Sequence, residues 1–443
     1  MYSAHIGRKF LDLYQKKTGQ DITPQEFFTN HVFELFYNDK KYFKWVVNSP
    51  LVQALGKAEK PKSFEEQQAL KLRKLLHKIN YEEPDSSFAI GFPAADLTFD
   101  TSGQVSTGLR FPTNPNEIYA SWIGAGFGLE VEGKQAWLID DEEILWTIYE
   151  GWKEYRALLN SSVIDLKPND LDAWNSAWLH YSYEPNKMSP KFRIEDYVEV
   201  EKTGKWSGSY ALTPLPWVKI VFQLARHFKG KQLVVYSSRY IFDKQKSHTV
   251  GFVQFVLPEV DKFYQLLEKM FHGSALISNK RLLDLYETQF SFANVAQLGV
   301  VGLRAIEPKG LRKFMPGYSD RNEYPKEKNI ESQITNTIYI SWVLAMLNNK
   351  DLLSLAEKAS NMLHDYASRE RQARTGRRNL VDKLLNSKSR KELVESLASI
   401  LEDDATSSEI CNALVNEVML NIPPDNVPLF VTLMRFKYAL PTK

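Results

Sequence analysis

The sequence predicts an α+β protein: an irregular mixed α/β N-terminal body over 1–320, then an all-α C-terminal helical bundle over 321–443. Three observations carry this. Capped helices at the start give way, from Ser87, to stretches rich in glycine, aromatics and β-formers. From Ile330 onward every apolar pattern has helical period. Between them, 309–329 holds Pro316, Gly317 and Pro325 amid charges with little periodicity, which marks a boundary. A chain of 443 residues can hold two or three domains and bury a substantial core. Its 10 Trp, 21 Tyr and 25 Phe favour large mixed packing or aromatic platforms over a coiled coil.

Taken in order, Ile6, Phe10, Leu11 and Tyr14 recur at helical spacing. Thr23-Pro24-Gln25-Glu26 is a capping box with proline at the first helical position. Behind it, Phe27, Phe28, Val32, Phe33 and Phe36 form an apolar face. Ser63 to Glu66 repeats the signal before Leu70, Leu72, Leu75 and Leu76, and the lysine-rich 55–63 reads as an exposed connection. Residues 88–99 and 118–139 read as strands and turns. A helix over 141–159 is acidic at its start, as the helix dipole favours. A proline-broken loop from Trp206 leads to a helix over 217–228, then strands over 232–242 and 249–256 joined by a polar turn. Helices over 259–271 and 280–286 and a strand over 297–306 complete the body. The bundle has helices over 330–347, 352–367, 380–385, 392–401, 408–420 and 427–438, with Pro423 and Pro424 separating the last two.

Charge is concentrated in 368–391. Arg369, Arg371, Arg374, Arg377, Arg378, Lys383, Lys388, Arg390 and Lys391 face only Glu370 and Asp382 there, a net +7. The whole chain carries +2, so the remainder carries −5. Folding does not require such a concentration, because a solvated face does as well with mixed signs. Arginine's planar fork suits phosphate better than a lysine point charge. The functional reading is a surface that follows a nucleic-acid backbone through Arg369, Arg371, Arg374, Arg377, Arg378 and Lys383. The structural reading is a soluble helix pair joined by a basic loop at Thr375-Gly376.

No motif assigns a catalytic residue, a metal or a cofactor. Gly124-Ala125-Gly126-Phe127-Gly128 is not G-x-G-x-x-G, and strand-like residues follow it, so it reads as a glycine-rich hairpin. Its backbone could still approach a ligand closely. Glu132-Gly133-Lys134 fits the acidic-x-lysine pattern of metal-dependent nucleases, with Asp96, Asp100 and Glu117 as upstream carboxylates. Among 54 acidic residues such triplets also arise by chance. The eight histidines are dispersed, without an H-x-x-x-H or HExxH pair. The single cysteine, Cys411, rules out an internal disulfide and reads as buried helix. The opening MYSAHIGRKF has no signal-peptide core and no run approaches a membrane span, so a cytoplasmic location is expected.

Reading a few base pairs needs close backbone approach and amide or basic side chains that reach a groove. The sequence offers Gly103 and Gln104 in a polar loop, Gly124 and Gly126 in the glycine hairpin, Asn175 between two tryptophans, and Lys202 and Lys205 beside Trp206. The competing reading makes Asn175 a turn cap, Trp174 and Trp178 core, and the lysines solvent-facing.

The opening AHIGRKFLDLY, Gly91-Phe92-Pro93-Ala94-Ala95-Asp96, Asp172-Ala173-Trp174-Asn175 and the helical end over 427–439 together resemble the large subunit of a type I CRISPR effector complex (Cascade). The resemblance covers the chain in layout. It implies a non-catalytic role in which the N-terminal body recognises the protospacer-adjacent motif in duplex DNA and helps open the strands. The helical end, resembling a fused small subunit, then lies along the unwinding DNA. Implied partners are guide RNA, the backbone subunits of a Cascade complex, double-stranded target DNA, and a recruited nuclease-helicase or transposition protein, with no membrane. Sequence reading is delegated to the guide RNA, as in other RNA-guided systems. The alternatives are a restriction-type nuclease using Glu132 and Lys134, and a protein-binding scaffold without nucleic-acid contact.

Overall fold

A computed structural model describes the chain except residues 1, 47–48, 58–59, 62, 83–87, 89, 91–113, 132–134, 162–164, 185–199, 203–209, 229–230, 232, 244–245, 257–306, 318–329, 370–373 and 440–443. Two compact units emerge, described residues up to Val256 forming the first and those from Glu307 onward the second. The class is α+β, with helices and a small sheet in the first unit and helices alone among the described elements of the second.

In the first unit, α1 (Tyr2–Thr18) buries Ile6, Phe10, Leu13 and Tyr14, three or four residues apart, on one face. The Thr23 capping box forms as expected. Thr23 Oγ1 accepts from Glu26 N, while the Glu26 carboxylate accepts from Thr23 N, and Pro24 opens α2 (Pro24–Phe27). The chain then widens into a π-helix, Phe28–Tyr37, closed by Asn38 N donating to Phe33 O at 2.8 Å. Ser63 caps α3 (Phe64–Tyr81), its Oγ accepting from Glu66 N at 3.1 Å.

The next element differs from the strand expected over 118–139. Asn114 caps, and Pro115 opens, a helix α4 (Pro115–Ala125); the strands begin only afterwards, with β1 (Leu129–Val131) and β2 (Gln135–Ile139). Asp141 caps α5 (Glu142–Leu159), its Oδ1 accepting from Glu143 N and Ile144 N. A helix α6 (Leu171–Ser182), without a counterpart in the sequence reading, follows. Then come β3 (Val200–Lys202), β4 (Tyr210–Leu212), α7 (Trp217–His227), β5 (Val234–Asp243) and β6 (Lys246–Val256). One sheet has the order β1-β2-β5-β6, all antiparallel, with Trp137 opposite Leu129 on one side and Ser237 on the other. β3 and β4 pair separately. The elements expected over 259–271, 280–286 and 297–306 lie outside the described residues.

The core of this unit is set by a helix crossing with no slack. A Cβ on Gly7 would lie 1.9 Å from Ala120 O, and one on Gly124 would lie 1.8 Å from Ser3 O. The backbones of α1 and α4 therefore touch, which only glycine permits at those two positions. Beside the crossing, the Phe10 ring meets Phe127 at 4.6 Å, Tyr149 at 5.1 Å and Phe27 at 5.5 Å.

The second unit opens with a 3₁₀ turn, Leu311–Phe314, and continues as α8 (Ile330–Leu347), α9 (Asp351–Ser368), α10 (Arg374–Leu385), α11 (Arg390–Asp403), α12 (Ser408–Leu420) and α13 (Val427–Ala439). These follow the sequence reading closely, with one exception. α10 begins six residues before the expected 380, so Thr375 and Gly376 sit inside a helix and not in a loop. The boundary also needs correcting. The reading placed 307–317 in the body over 1–320, yet Leu311 is fully buried in the helical unit. Tyr339 Oη donates to Lys309 O at 2.7 Å, and the Phe314 ring packs 5.8 Å from both Tyr339 and Phe436. Proline and glycine announced a turn there, but aromatic packing decides which core holds it.

Candidate nucleic-acid interface

The basic segment spans the end of α9, all of α10 and the start of α11. Helical spacing sorts its cations onto different faces. Val381, Leu384 and Leu385 turn into the core, while Arg378, Asn379, Asp382 and Lys383 are exposed. Lys388 and Lys391 continue the exposed set beyond α10, Lys391 beside Glu395 at 3.8 Å. Ser389 caps α11 through Glu392 N.

Three of the arginines are already engaged within the unit. Arg377, with only 12% of its side chain exposed, donates from Nε to Asp403 Oδ2 at 2.7 Å and lies over the Tyr366 ring at 5.2 Å. Arg369 Nη1 donates to Asp404 Oδ2 at 2.6 Å and to Thr406 Oγ1 at 2.7 Å. The hydrogen bond from Arg377 holds the Asp403 carboxyl below the usual carboxylate range. Asp404 is lowered as well, chiefly by the Thr406 hydroxyl and backbone and also by Arg369. Burial pushes the Tyr366 phenol up to about 12. Arg390 donates to Ile422 O and so ties the start of α11 to the turn after α12. Arg369 and Arg377 thus brace α9 and α10 against the end of α11, and the exposed cations are Arg378 and Lys383 on α10 with Lys388 and Lys391 beyond it. Arg374 begins α10, and Arg371 lies outside the described residues. A charge count that stopped at Lys391 missed Asp403 and Asp404, which are near in space and a full helix away in sequence.

The structure gathers three of the base-reading candidates, but around a buried turn. Gly124 lies in α4 against α1, not in a hairpin, and Gly126 caps that helix. A Cβ on Gly126 would meet the Trp152 ring at 2.9 Å. Asn175 is fully buried, and its Nδ2 donates to Gly126 O at 2.8 Å and to Gly128 O at 2.9 Å. Ser176 Oγ donates to Glu130 O at 2.8 Å. Asp172 accepts from Lys44 Nζ at 2.9 Å, and the same ammonium donates to Ala125 O at 2.8 Å. Asp172, Asn175 and Ser176 share one face of α6 and grip the α4–β1 turn. Gly124, Gly126 and Asn175 are thereby corrected from base readers to parts of the core, since none reaches solvent. Trp174 is core as its competing reading held, stacked on Tyr155 at 5.0 Å. Lys202 ends β3, while Gly103, Gln104 and Lys205 lie outside the described residues.

Of the nuclease candidates, Glu117 in the first turn of α4 is bonded to Arg8, while Asp96, Asp100, Glu132 and Lys134 lie outside the described residues. His5 Nε2 and Lys9 both bond Asp140, His5 at 2.8 Å, which fastens α1 to the corner between β2 and α5. Burial opposes the Asp140 charge, but the bonds from Lys9 and His5 prevail and hold that carboxyl below its ordinary value. Among the described residues no three His, Cys, Asp or Glu side chains gather as a metal site would need, and no helix is long and apolar enough to cross a membrane. Cys411 is buried in α12, where desolvation raises its thiol. Comparison of the chain with protein-family models, with curated proteins and with solved structures gives no match.

Proposed function

We propose that the chain is a non-catalytic subunit of an RNA-guided DNA-surveillance complex, in which the helical unit follows a nucleic-acid backbone and stabilises unwound DNA. The observation that carries the reading is the exposed set Arg378, Lys383, Lys388 and Lys391 on α10 and the start of α11, in a chain whose remaining charge is negative. Phosphate contacts of this kind position a nucleic acid without reading its sequence. The resemblance to Cascade large subunits supplies the rest: guide RNA and backbone subunits as partners, a cytoplasmic location, and motif recognition by the N-terminal unit. Within that unit the recognition role falls to Gly103, Gln104, Lys202 and Lys205, now that the glycine turn and Asn175 belong to the core.

The test is a salt titration of binding to a labelled duplex by the full chain. Changing Arg371, Arg374, Arg378 and Lys383 to alanine should weaken binding to every sequence alike and flatten its salt dependence by about 0.9 in log–log slope per lost contact. An unchanged slope would remove the interface from α10.

A further inference from the structure

A second surface with nucleic-acid chemistry lies in the N-terminal unit, along α3. There a groove of about 500 Å³ runs between the helix and the loop before it. One wall carries Arg73, Lys74, His77 and Lys78, with Glu82 at its end 3.6 Å from Lys78, and the facing wall includes Pro50 and Leu55. Residues four apart on a helix stand about 6 Å along its axis, so Arg73 with His77 and Lys74 with Lys78 make a double row rather than a point charge. Three of the four carry permanent charge.

The opposite wall is held in place. Leu51 is fully buried, its carbonyl accepts from Tyr42 Oη at 3.1 Å and from Lys71 Nζ at 3.2 Å, and its N–H donates to Ser49 Oγ at 3.1 Å. Lys71 thus belongs to the scaffold of the groove, while Arg73 and Lys74, two and three residues further on, are exposed. At the C-terminal end of the row, Tyr81 leaves its ring 80% exposed, with the His77 ring 5.1 Å away. A single exposed aromatic is ordinary on a protein surface. An exposed aromatic pair at the end of a cationic groove with an apolar facing wall is the combination that single-stranded nucleic acid uses, with bases stacked on rings and the backbone tracked by charge.

We propose that this groove binds a single-stranded nucleic-acid segment, one base stacking on Tyr81 beside His77 and its phosphates held by the exposed Arg73 and Lys74, while Lys78 is paired with Glu82. The proposal does not rest on α10, which belongs to the other unit. An acidic peptide would use the same cations but would gain nothing from the ring, and that difference separates the two occupants.

The experiment uses the full chain carrying Arg378→Ala, Lys383→Ala, Lys388→Ala and Lys391→Ala, so that binding by the exposed cations of the helical unit is removed from the readout. A labelled oligothymidine should still bind, the pair Arg73→Ala and Lys74→Ala should weaken it at least tenfold, and Tyr81→Ala should weaken it about tenfold while Tyr81→Phe leaves it unchanged. A bromouracil-substituted oligonucleotide should crosslink to Tyr81 or His77. No binding in this background, binding indifferent to both sets of changes, or crosslinks only elsewhere would overturn the proposal. So would polyglutamate competing as well as the oligonucleotide while Tyr81→Ala has no effect, the outcome an acidic-peptide site would give. Failure here leaves the salt slope of the parent chain untouched, so the two surfaces are judged separately.

Discussion

The two units solve the same packing problem with different tolerances. In the first, α1 and α4 touch backbone to backbone at Gly7 and Gly124, rings interlock around Phe10, and hydrogen bonds such as His5–Asp140 and Asn175–Gly126 join residues far apart in sequence. In the second, the buried set is mainly aliphatic: Leu352, Leu363, Leu384, Leu397, Ile400, Leu414 and Val418. Its polar ties lie near the surface, as with Arg377–Asp403 and Arg369–Asp404. A core of interdigitating aliphatic side chains accepts repacking, whereas a backbone contact has nothing to rotate away. The helical unit can therefore devote an exposed face to charge without disturbing what holds it together.

One substitution made in both units should break or sharpen that contrast most. Gly124→Ala would set a methyl group 1.8 Å from Ser3 O, so α1 must move, and the first unit should lose about 3 kcal/mol or more of stability in urea denaturation followed by tryptophan fluorescence. A midpoint equal to the parent's would show that the crossing has slack after all.

A smaller effect separates the units by pH. Asp170 lies just before α6, where burial raises its carboxyl to about 6, opposed by a hydrogen bond from Leu212 N at 3.2 Å and by Lys167. Because that value exceeds the ordinary 3.8, folding favours the protonated acid; its contribution is whole below about pH 4 and lost as pH rises to about 6. Asp170→Asn keeps an acceptor for Leu212 N and removes the charge. It should stabilise the first unit at pH 7.5 by about 2 kcal/mol or less, with the gain vanishing near pH 4. An equal gain at both pH values would assign the effect to something other than ionisation.

The smallest effect has the opposite sign to the first. Gly376 lies inside α10 with nothing within 4 Å of an added Cβ. Gly376→Ala should stabilise the helical unit by roughly 0.5–1 kcal/mol, read as a rise in its thermal midpoint. A loss there would mean that the start of α10 needs glycine's freedom.

The same contrast explains what could be read in the sequence. α12 was legible to the residue because amphipathic period and local punctuation are properties of neighbours in the chain, and α8, buried all round over 338–345, was legible by its length of 18 residues, too long for a strand. α4 was not, because Ile118 through Ala125 are all buried. A helix apolar all round shows no stripe, and its glycines and aromatics imitate a strand. α6 hides in the same way, with Leu171, Ala173, Trp174, Asn175, Ser176 and Ala177 all inside. At the candidate interface the excess of positive charge was visible in composition. Its division into bracing arginines and exposed ones was not, because Asp403 and Asp404 reach Arg377 and Arg369 only through the packing of α11 on α10 and α9.

The glycine crossing also has a consequence for how the chain is made. α1 ends at Thr18, and the helix it packs against is complete only at Ala125. At a synthesis rate of about 5–20 residues per second, α1 waits roughly 5–20 s for α4, with only Phe27 and His31 yet made of the rings that surround Phe10 and Tyr14. During that interval the nascent segment is an apolar helix face open to chaperones and to other chains. Conditions that slow elongation should thus lower the yield of folded protein while leaving the stability of the finished molecule unchanged.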